Sequence, residues 1–249
     1  MKYGFCALPV VPMRAEASDR SEMVSQLLFG DTFVVEEYSE KWTLIVADFD
    51  GYRGWVDTKQ LCFLSMEDCE KVKAWSAVQH ELLTVVQVNN RGLLLPMGSR
   101  LPSAGDSIPN GISVEYMPNT VADQLDIQTI AQQWLGTPYL WGGKTCLGVD
   151  CSGFVQTLFK VAGYSMQRDA SQQVLQGCGV DSISEALPND LCFFKNDSGK
   201  IIHVGIYMGS NKIIHASGEV RIDTIDDKGI FNANRQAYTH TLASIRRMW

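Results

Sequence analysis

The stretch Gly148-Val149-Asp150-Cys151-Ser152-Gly153-Phe154 decides how the C-terminal half of this 249-residue chain folds. Apolar residues follow it with the period of an α-helix, at Phe154, Val155, Leu158, Phe159 and Ala162. Asp150 stands where an N-cap belongs, so the pattern predicts a helix that begins at Cys151. A thiol there meets unpaired N–H groups and the positive end of the helix dipole, which favour the thiolate and could hold an oxyanion. The stretch therefore predicts a cysteine nucleophile.

A cysteine nucleophile normally needs a base, and His203 is the candidate. The run Ile201–Met208 alternates with the period of a β-strand, with a row of apolar side chains on one face. His203 falls on the opposite face together with Gly205 and Tyr207. A polar ring beside a glycine on this face predicts that the face lines a cleft.

His215, in the next predicted strand, is the candidate for orienting the base, because either ring nitrogen can donate or accept a hydrogen bond. A two-residue turn at Ser210-Asn211 would pair His203 with Gly218 instead. Contact between the two rings therefore requires another loop register or a bulge. A single histidine in a strand is more often structural than catalytic, and only the combination with Cys151 favours catalysis.

The elements around these residues predict an α+β domain. A helical stripe precedes the cysteine at Ile127, Ile130, Ala131, Trp134 and Leu135, and Gly136 with Pro138 ends that helix. Strands are predicted after it at Leu191–Lys195, Ile201–Met208, Lys212–Ala216, Val220–Ile222 and Ile245–Trp249. Helices followed by an antiparallel run of strands are typical of this class.

The N-terminal half predicts two small β-barrels. The first is indicated by short strands at Ser25–Phe29, Thr32–Glu36, Trp42–Ala47 and Gly54–Val56. A helix at Glu67–Val78 leads into the second, whose predicted strands are Leu82–Val88, Gly92–Leu95 and Ser113–Tyr116. The predicted boundaries are 1–66 for the first barrel, 67–118 for the second with its helix, and 119–249 for the α+β domain.

The composition is that of an ordinary globular protein, with 45% hydrophobic and 20% charged residues, which excludes disorder and a coiled coil. A net charge of −7 without basic clusters argues against a nucleic-acid partner. No apolar run is long enough to span a membrane. Seven scattered cysteines and a start that lacks a signal peptide predict a cytoplasmic location, or a periplasmic one if a signal peptide has been removed. The oligomeric state stays open, and a monomer is consistent with the sequence.

Four segments in order, GTPYLWGG, GVDCSGFVQTLFKVAGY, ALPNDLCFF and IIHVGIYMGSNKIIHAS, resemble the NlpC family of papain-like cell-wall cysteine peptidases. The resemblance covers about residues 122–249. It implies that Cys151 is the nucleophile, His203 the base and His215 the orienting residue, and that Tyr139 lies near the oxyanion. It implies no metal and no organic cofactor.

Residues 13–61, with their ending Gly51-Tyr52-Arg53-Gly54-Trp55-Val56, resemble bacterial SH3-like domains attached to cell-wall enzymes. Two such barrels before an NlpC-type domain are similar to γ-D-glutamyl-L-diamino acid endopeptidases, also called dipeptidyl-peptidase VI. In that subgroup the first barrel closes one end of the cleft, so that only a peptide with a free N-terminal L-Ala fits. Transferred by position, the resemblance implies substrate contacts at Tyr52, Asp150, Ser152 and Ser171.

The subgroup also uses a barrel glutamate for the substrate's amine, and here the sequence departs from the pattern. Val24 stands at that position, and Glu22 lies two residues earlier on the same strand face. A buried ammonium needs a carboxylate, so we expect Glu22 to serve, with Asp31 as the alternative. Trp141 is either a wall of the substrate groove or a packing residue.

The sequence therefore predicts a cysteine peptidase that hydrolyses the γ-D-glutamyl-L-diamino acid bond of small peptidoglycan-derived peptides in cell-wall recycling. An amidase or acyltransferase on the same scaffold is the first alternative, and a peptidase acting on intact wall peptides is the second. A wall-binding module without activity is a third, against which the complete set of Cys151, His203 and His215 argues. Whether the diamino acid is L-Lys or meso-diaminopimelate stays open.

Overall fold

The computed structural model describes residues 2–103, 105–109, 111–116 and 126–249. The chain divides into two compact units, Met1–Gln124 with Trp141–Cys146, and Leu125–Leu140 with Leu147–Trp249. The two predicted barrels fall within the first of these units. The predicted boundary at residues 118 and 119 lies outside the described residues.

The first unit contains a seven-stranded antiparallel sheet in the order β3-β2-β6-β5-β4-β1-β7. Its strands are β1 Lys2–Phe5, β2 Val10–Arg14, β3 Met23–Leu28, β4 Thr32–Tyr38, β5 Trp42–Ala47, β6 Arg53–Asp57 and β7 Cys62–Leu64, with a 3-10 turn at Thr58–Gln60. Three of these, β4, β5 and β6, contain strands predicted from β-rich runs, and β3 overlaps the fourth predicted strand except at Phe29. The buried core is apolar and includes Val11, Met13, Leu27, Phe33, Ile45 and Val56.

The region predicted as a second barrel builds part of its core from residues of the first. It contains α1 Met66–Lys73 and the strands β8 Ala77–Val78, β9 Leu83–Val88, β10 Arg91–Pro96, β11 Arg100–Leu101 and β12 Val114–Glu115. The strands form two small sheets, β10-β9-β12 and β11-β8. Trp75 packs against Phe5 and Phe29, both from the first barrel's segment. The predicted helix over residues 67–78 is too long. The helix ends at Lys73, and residues 77 and 78 form β8, which pairs with β11.

The second unit is α+β, as predicted. Its helices are α2 Ile127–Gln132, α3 Cys151–Val161 and α4 Ala170–Gln173, with a 3-10 turn at Ile183–Glu185. Two short strands, β13 Lys144–Thr145 and β14 Gly148–Val149, precede α3, and β13 belongs to the first unit. The remaining strands are β15 Cys178–Val180, β16 Leu191–Lys195, β17 Ile201–Gly209, β18 Lys212–Ser217, β19 Glu219–Asp226, β20 Gly229–Asn232 and β21 Ala237–Arg247.

Strands β15 to β21 form a second seven-stranded antiparallel sheet, in the order β15-β21-β16-β17-β18-β19-β20. Strand β21 also pairs with β20 through its first half, while its second half pairs with β16. Six strands therefore close into a ring, and β15 lies outside it. The sequence predicts only the last residues of β21 and misses β20. Among the described helices, we find no apolar one of membrane-spanning length.

Candidate active site

The nucleophile candidate sits where the sequence predicts, at the first residue of α3. Asp150 is the N-cap, with extended φ and ψ of −93° and 174°, and its carboxylate accepts a hydrogen bond from the Gly153 N–H at 2.7 Å. The apolar stripe behind it, which includes Phe154, Val155 and Leu158, is fully buried. The cap fixes where the helix begins, and the stripe fixes which face packs. Together they hold Cys151 at the helix start with 6% of its surface exposed.

The Cys151 sulfur lies against strand β17. It accepts backbone hydrogen bonds from Val204, which directly follows His203, and from Ser152. Burial and the nearby charge of Asp150 nevertheless raise the pKa of the Cys151 thiol to about 12, more than these hydrogen bonds and Arg168 lower it. The predicted preference for the thiolate is therefore wrong for the resting fold. The thiol keeps its proton until a base removes it.

A buried arginine that sequence reasoning passed over holds the residues around the nucleophile. Arg168 is 1% exposed and donates to both carboxylate oxygens of Asp150, at 3.1 and 2.7 Å. It also donates to the Ser152 hydroxyl at 3.0 Å. Asp150 and Ser152, the predicted substrate contacts beside the nucleophile, are thus joined to each other by one guanidinium. A bidentate pair of this kind fixes the orientation of the carboxylate that caps α3.

The two predicted histidines meet, and a bulge brings them together. The turn at Ser210 and Asn211 is the predicted two-residue one, with φ of 51° and 56°. The register then shifts by one residue between Tyr207 and Gly209, so that Ile206 pairs with Ile214. This shift places both histidines on the same face of the sheet.

Gly205 provides the space for the contact between the rings. The shifted register, in which Ile206 pairs with Ile214, sets Gly205 opposite His215. His203 lies two residues before Gly205 on the same strand. A Cβ at Gly205 would lie 2.9 Å from the Cβ of His215. With no side chain at Gly205, the two rings meet diagonally across the neighbouring strands. Nε2 of His203 then lies 2.8 Å from Nδ1 of His215. The position opposite His215 on β17 therefore requires glycine.

The environment of His203 differs from the expected cleft. Its ring stacks on His240 of β21 with 4.2 Å between centroids, and Phe194 packs at 5.7 Å. His203 is 5% exposed, so this face of the strand is the interior of the ring of strands. Burial, followed by the electrostatic influence of the neighbouring His215 and His240, lowers the pKa of His203 well below its usual value. Both shifts favour the uncharged forms of Cys151 and His203.

Strand β19 supplies two further polar residues that sequence reasoning missed. Asp223 Oδ2 lies 3.2 Å from Nε2 of His215, and Arg221 binds the same carboxylate at 2.9 and 3.0 Å. In the segment from Glu219 to Asp226, Arg221 and Asp223 are two residues apart and so share one strand face. This spacing, shortly after His215 in the sequence, was the signal from which the two residues could have been predicted as neighbours of His215. Asp223 is 8% exposed.

Tyr139 is tied to the segment that carries the nucleophile. Its neighbours Pro138 and Leu140 exchange backbone hydrogen bonds with Val149, two residues before Cys151, and its own N–H donates to the Gly218 carbonyl at 2.9 Å. Burial, with the nearby Cys151 and Asp150, raises the pKa of the Tyr139 phenol. The hydroxyl stays protonated and can donate a hydrogen bond, which the predicted role near an oxyanion requires.

The remaining predicted substrate residues fall in both units. Ser171 is exposed in the first turn of α4. In the first unit, Glu22 accepts a 2.6 Å hydrogen bond from the indole N–H of Trp141, whose side chain is largely exposed. Tyr52 is partly buried against the apolar core, and Asp31 accepts a hydrogen bond from the Leu28 N–H. Among the described residues we find no group of three or more His, Cys, Asp or Glu that could hold a metal ion.

Residues 136–239 match the NlpC/P60 family, and residues 13–61 match the bacterial dipeptidyl-peptidase Sh3 domain. A γ-D-glutamyl-L-lysine dipeptidyl-peptidase of Bacillus subtilis (strain 168) is 32% identical over 224 residues, which cover 77% of this chain and 71% of the relative. The protein of the same name from Bacillus cereus (strain ATCC 10987) is 26% identical over 92% of this chain and 76% of its own.

Among solved structures, an NlpC/P60 family protein from Bacillus cereus ATCC 10987 superposes with a TM-score of 0.79 at 22% identity, over 98% of this chain and 99% of that one. This likeness shows the fold. The fold and the matches define a hydrolase of the cysteine-peptidase class with an SH3-like N-terminal region. The chain belongs to the NlpC/P60 family of peptidoglycan-peptide hydrolases.

Proposed function

We propose that this protein hydrolyses the amide bond between γ-D-glutamate and an L-diamino acid in peptidoglycan-derived peptides that carry a free N-terminal L-Ala. The observation that carries the proposal is that relatives named γ-D-glutamyl-L-lysine dipeptidyl-peptidase align over 77% and 92% of this chain, which also matches both the NlpC/P60 family and the bacterial dipeptidyl-peptidase Sh3 domain. The products would be the dipeptide L-Ala-γ-D-Glu and a diamino acid with a free amine. Recycling of cell-wall peptides is the process that such a reaction would serve.

The reaction would run through an acyl-enzyme. The Cys151 sulfur attacks the γ-carbonyl carbon while His203 takes the thiol proton, and the negative oxygen is met by N–H groups at the start of α3 and by the Tyr139 hydroxyl. His203 then gives the proton to the leaving amine of the diamino acid as the C–N bond breaks. Water attacks the thioester, His203 takes its proton, and the dipeptide leaves as the thiol is restored.

The resting state supports this order of proton transfer. A thiol with a raised pKa and a base with a lowered pKa do not form an ion pair before substrate binds. The proton therefore moves as the sulfur attacks, and the negative charge passes to the carbonyl oxygen. The groups that meet this oxygen then contribute the main stabilisation of the transition state.

A free substrate amine is the finer part of the proposal. An ammonium group removed from water needs a carboxylate partner. Glu22 is exposed, and its orientation is fixed by Trp141, so that one oxygen is held by the indole and the carboxylate keeps its other oxygen for a ligand. The resemblance implies a barrel carboxylate for this amine, but it aligns Val24 at that position, so the assignment to Glu22 rests on its place two residues earlier on the same strand face.

The test compares L-Ala-γ-D-Glu-L-Lys, the same peptide with meso-diaminopimelate, and the N-blocked muramoyl-linked form. Products are identified by mass spectrometry, with Cys151→Ala as the control. We expect release of L-Ala-γ-D-Glu from the free peptides, and the difference in kcat/KM between the first two identifies the preferred diamino acid. Equal cleavage of the blocked form would contradict the free-amine requirement and favour intact wall peptides. Turnover by Cys151→Ala would contradict the nucleophile.

A further inference from the structure

A polar row crosses three neighbouring strands inside the second unit's sheet. It runs from His203 on β17 through His215 on β18 to Asp223 on β19, with contacts of 2.8 and 3.2 Å between successive side chains. Each contact is diagonal. The pairing of Ile206 with Ile214 sets Gly205, not His203, opposite His215, and on the other side His215 pairs with Arg221 while Asp223 pairs with Ile213. All three polar residues are buried. The row extends the histidine pair by one carboxylate.

Asp223 is ionised in the fold and can therefore only accept hydrogen bonds. Burial opposes its charge, but hydrogen bonds from His215 and Arg221 outweigh burial and leave the pKa of Asp223 lowered. Arg221 lies within 3.0 Å of both carboxylate oxygens and supplies the balancing positive charge.

The direction of the hydrogen bonds follows from this acceptor. Since Asp223 accepts, Nε2 of His215 carries the hydrogen, and Nδ1 of a neutral His215 is bare. The bare Nδ1 accepts from Nε2–H of His203 across the 2.8 Å contact. In a neutral His203 ring with its hydrogen on Nε2, Nδ1 carries no hydrogen and has a free lone pair.

We propose that Asp223 is a positioning residue that sets the tautomers of both histidines, so that His203 presents a bare Nδ1 as the base for Cys151. Asp223 acts only through His215 and touches neither nucleophile nor substrate. The inference rests on Cys151 and His203 as nucleophile and base of the proposed reaction. It goes beyond the histidine pair because it assigns which nitrogen of His203 takes the proton, and why.

The first test replaces Asp223 with Asn, which keeps the shape and removes the charge. The Asn amide can donate to Nε2 of His215, which then donates from Nδ1 to Nε2 of His203 and forces the hydrogen of His203 onto Nδ1. We expect kcat to fall about 10²- to 10⁴-fold, the upper figure being that of the comparable Asp-to-Asn change in a serine protease triad, with KM unchanged. Asp223→Glu, which restores an acceptor, should recover part of the kcat.

The matched control is Asp226→Asn on the same strand, because Asp226 caps a turn and binds the Tyr238 hydroxyl outside the row. We expect it to keep kcat. A loss of kcat in Asp223→Asn smaller than twofold would overturn the proposal, and so would an equal loss in Asp226→Asn. A fall that Asp223→Glu does not relieve at all would also overturn it, because that outcome indicates a merely structural role.

A second measurement needs no substrate. Nitrogen-15 NMR of the histidine-labelled protein reports which ring nitrogen carries hydrogen. We expect Nε2–H tautomers for His203 and His215 in the parent protein, and an Nδ1–H tautomer for His203 in Asp223→Asn. An Nδ1–H tautomer of His203 in the parent would overturn the inference. This readout is independent of turnover. A wrong substrate assignment is therefore distinguishable from a wrong assignment of the histidine tautomers.

Discussion

The two units each contain a seven-stranded antiparallel sheet, and the sheets bury different chemistry. The sheet of the first unit encloses an apolar cluster with Met13, Leu27, Phe33 and Ile45 among its members. The sheet of the second unit also has an apolar cluster, but next to it lie His203, His215, Asp223 and His240. Similar strand architectures therefore carry a hydrocarbon interior in one unit and a polar row in the other.

The difference indicates that the second unit has a less stabilising interior because it holds polar side chains that a reaction needs. A buried polar group costs free energy unless each hydrogen-bonding atom finds a partner, so an apolar interior is the default for a small sheet. In the second unit the buried histidines and Asp223 are partnered mainly by each other and by Arg221. Buried polar rows of this kind are retained where a reaction needs them.

The cysteines provide the sharpest contrast between the units. Cys151→Ala should abolish turnover, with kcat at least about 10⁴-fold lower, because no other group can form the thioester. Cys6, fully buried in the first unit's core, is the matched position. Cys6→Ala should cost about 1 kcal/mol of unfolding free energy and leave kcat unchanged. Steady-state kinetics with urea unfolding distinguish the two, and a loss of kcat in folded Cys6→Ala would break the contrast.

Buried and exposed ion pairs should differ in their effect on stability. Arg168→Met leaves Asp150 without its guanidinium in a buried site, and we expect it to lower the unfolding free energy by about 3–5 kcal/mol. In the first unit, Arg53 donates to Glu36 at 2.7 Å on the surface, so Arg53→Met should cost at most about 1 kcal/mol. Denaturant titrations measure both. Equal effects would show that burial of the Arg168 pair does not matter.

Glycines in the two sheets test geometry apart from stability. Gly205→Ala places a Cβ 2.9 Å from that of His215, so we expect displacement of the ring and a fall in kcat of about 10²-fold. Gly54→Ala in β6 meets the Met13 Cβ at 3.0 Å and should cost about 1–3 kcal/mol without changing kcat. Crystal structures and kinetics of both variants provide the check. Full activity of Gly205→Ala would refute the requirement for glycine opposite His215.

The smallest expected effect concerns acid stability. Burial, followed by the electrostatic influence of His215, lowers the pKa of His240 to about 4, whereas an unfolded histidine titrates at about 6.5. Between these values the unfolded chain binds more protons, so the unfolding free energy falls as the pH drops from 6.5 to 4. His240→Phe keeps the stacking on His203 and should reduce this slope. Urea midpoints across the pH range measure it, and an unchanged slope would contradict a neutral His240.

The apolar periodicities predicted most elements near the site because local burial follows sequence pattern closely. The start of α3 at Cys151 is confirmed to the residue, since a cap and an apolar stripe are both local signals. The strands Leu191–Lys195 and Trp42–Ala47 are also confirmed at both ends. Strand β20 and most of β21 were missed; β21 has a mixed burial pattern, and its second half pairs with β16, which is distant in sequence.

The residues that tertiary contacts alone bring together were harder to predict. Arg168 was visible in the sequence, but nothing local indicates that its guanidinium reaches Asp150, 18 residues earlier. The predicted preference for the thiolate was wrong because a helix N-terminus is a local feature, whereas the burial that raises the pKa of the Cys151 thiol comes from the whole fold.

The sequence by itself determined the family, the helix that presents Cys151, and the two strands that carry His203 and His215. These depend on residue types at short spacings, where capping and strand alternation act directly. Only the tertiary structure decided that a bulge after Tyr207 turns both histidines to one face and that the row continues to Asp223. A shift of one residue reverses every side chain of a strand, and such a shift is set by the packing of the whole sheet rather than by the strand's own residues.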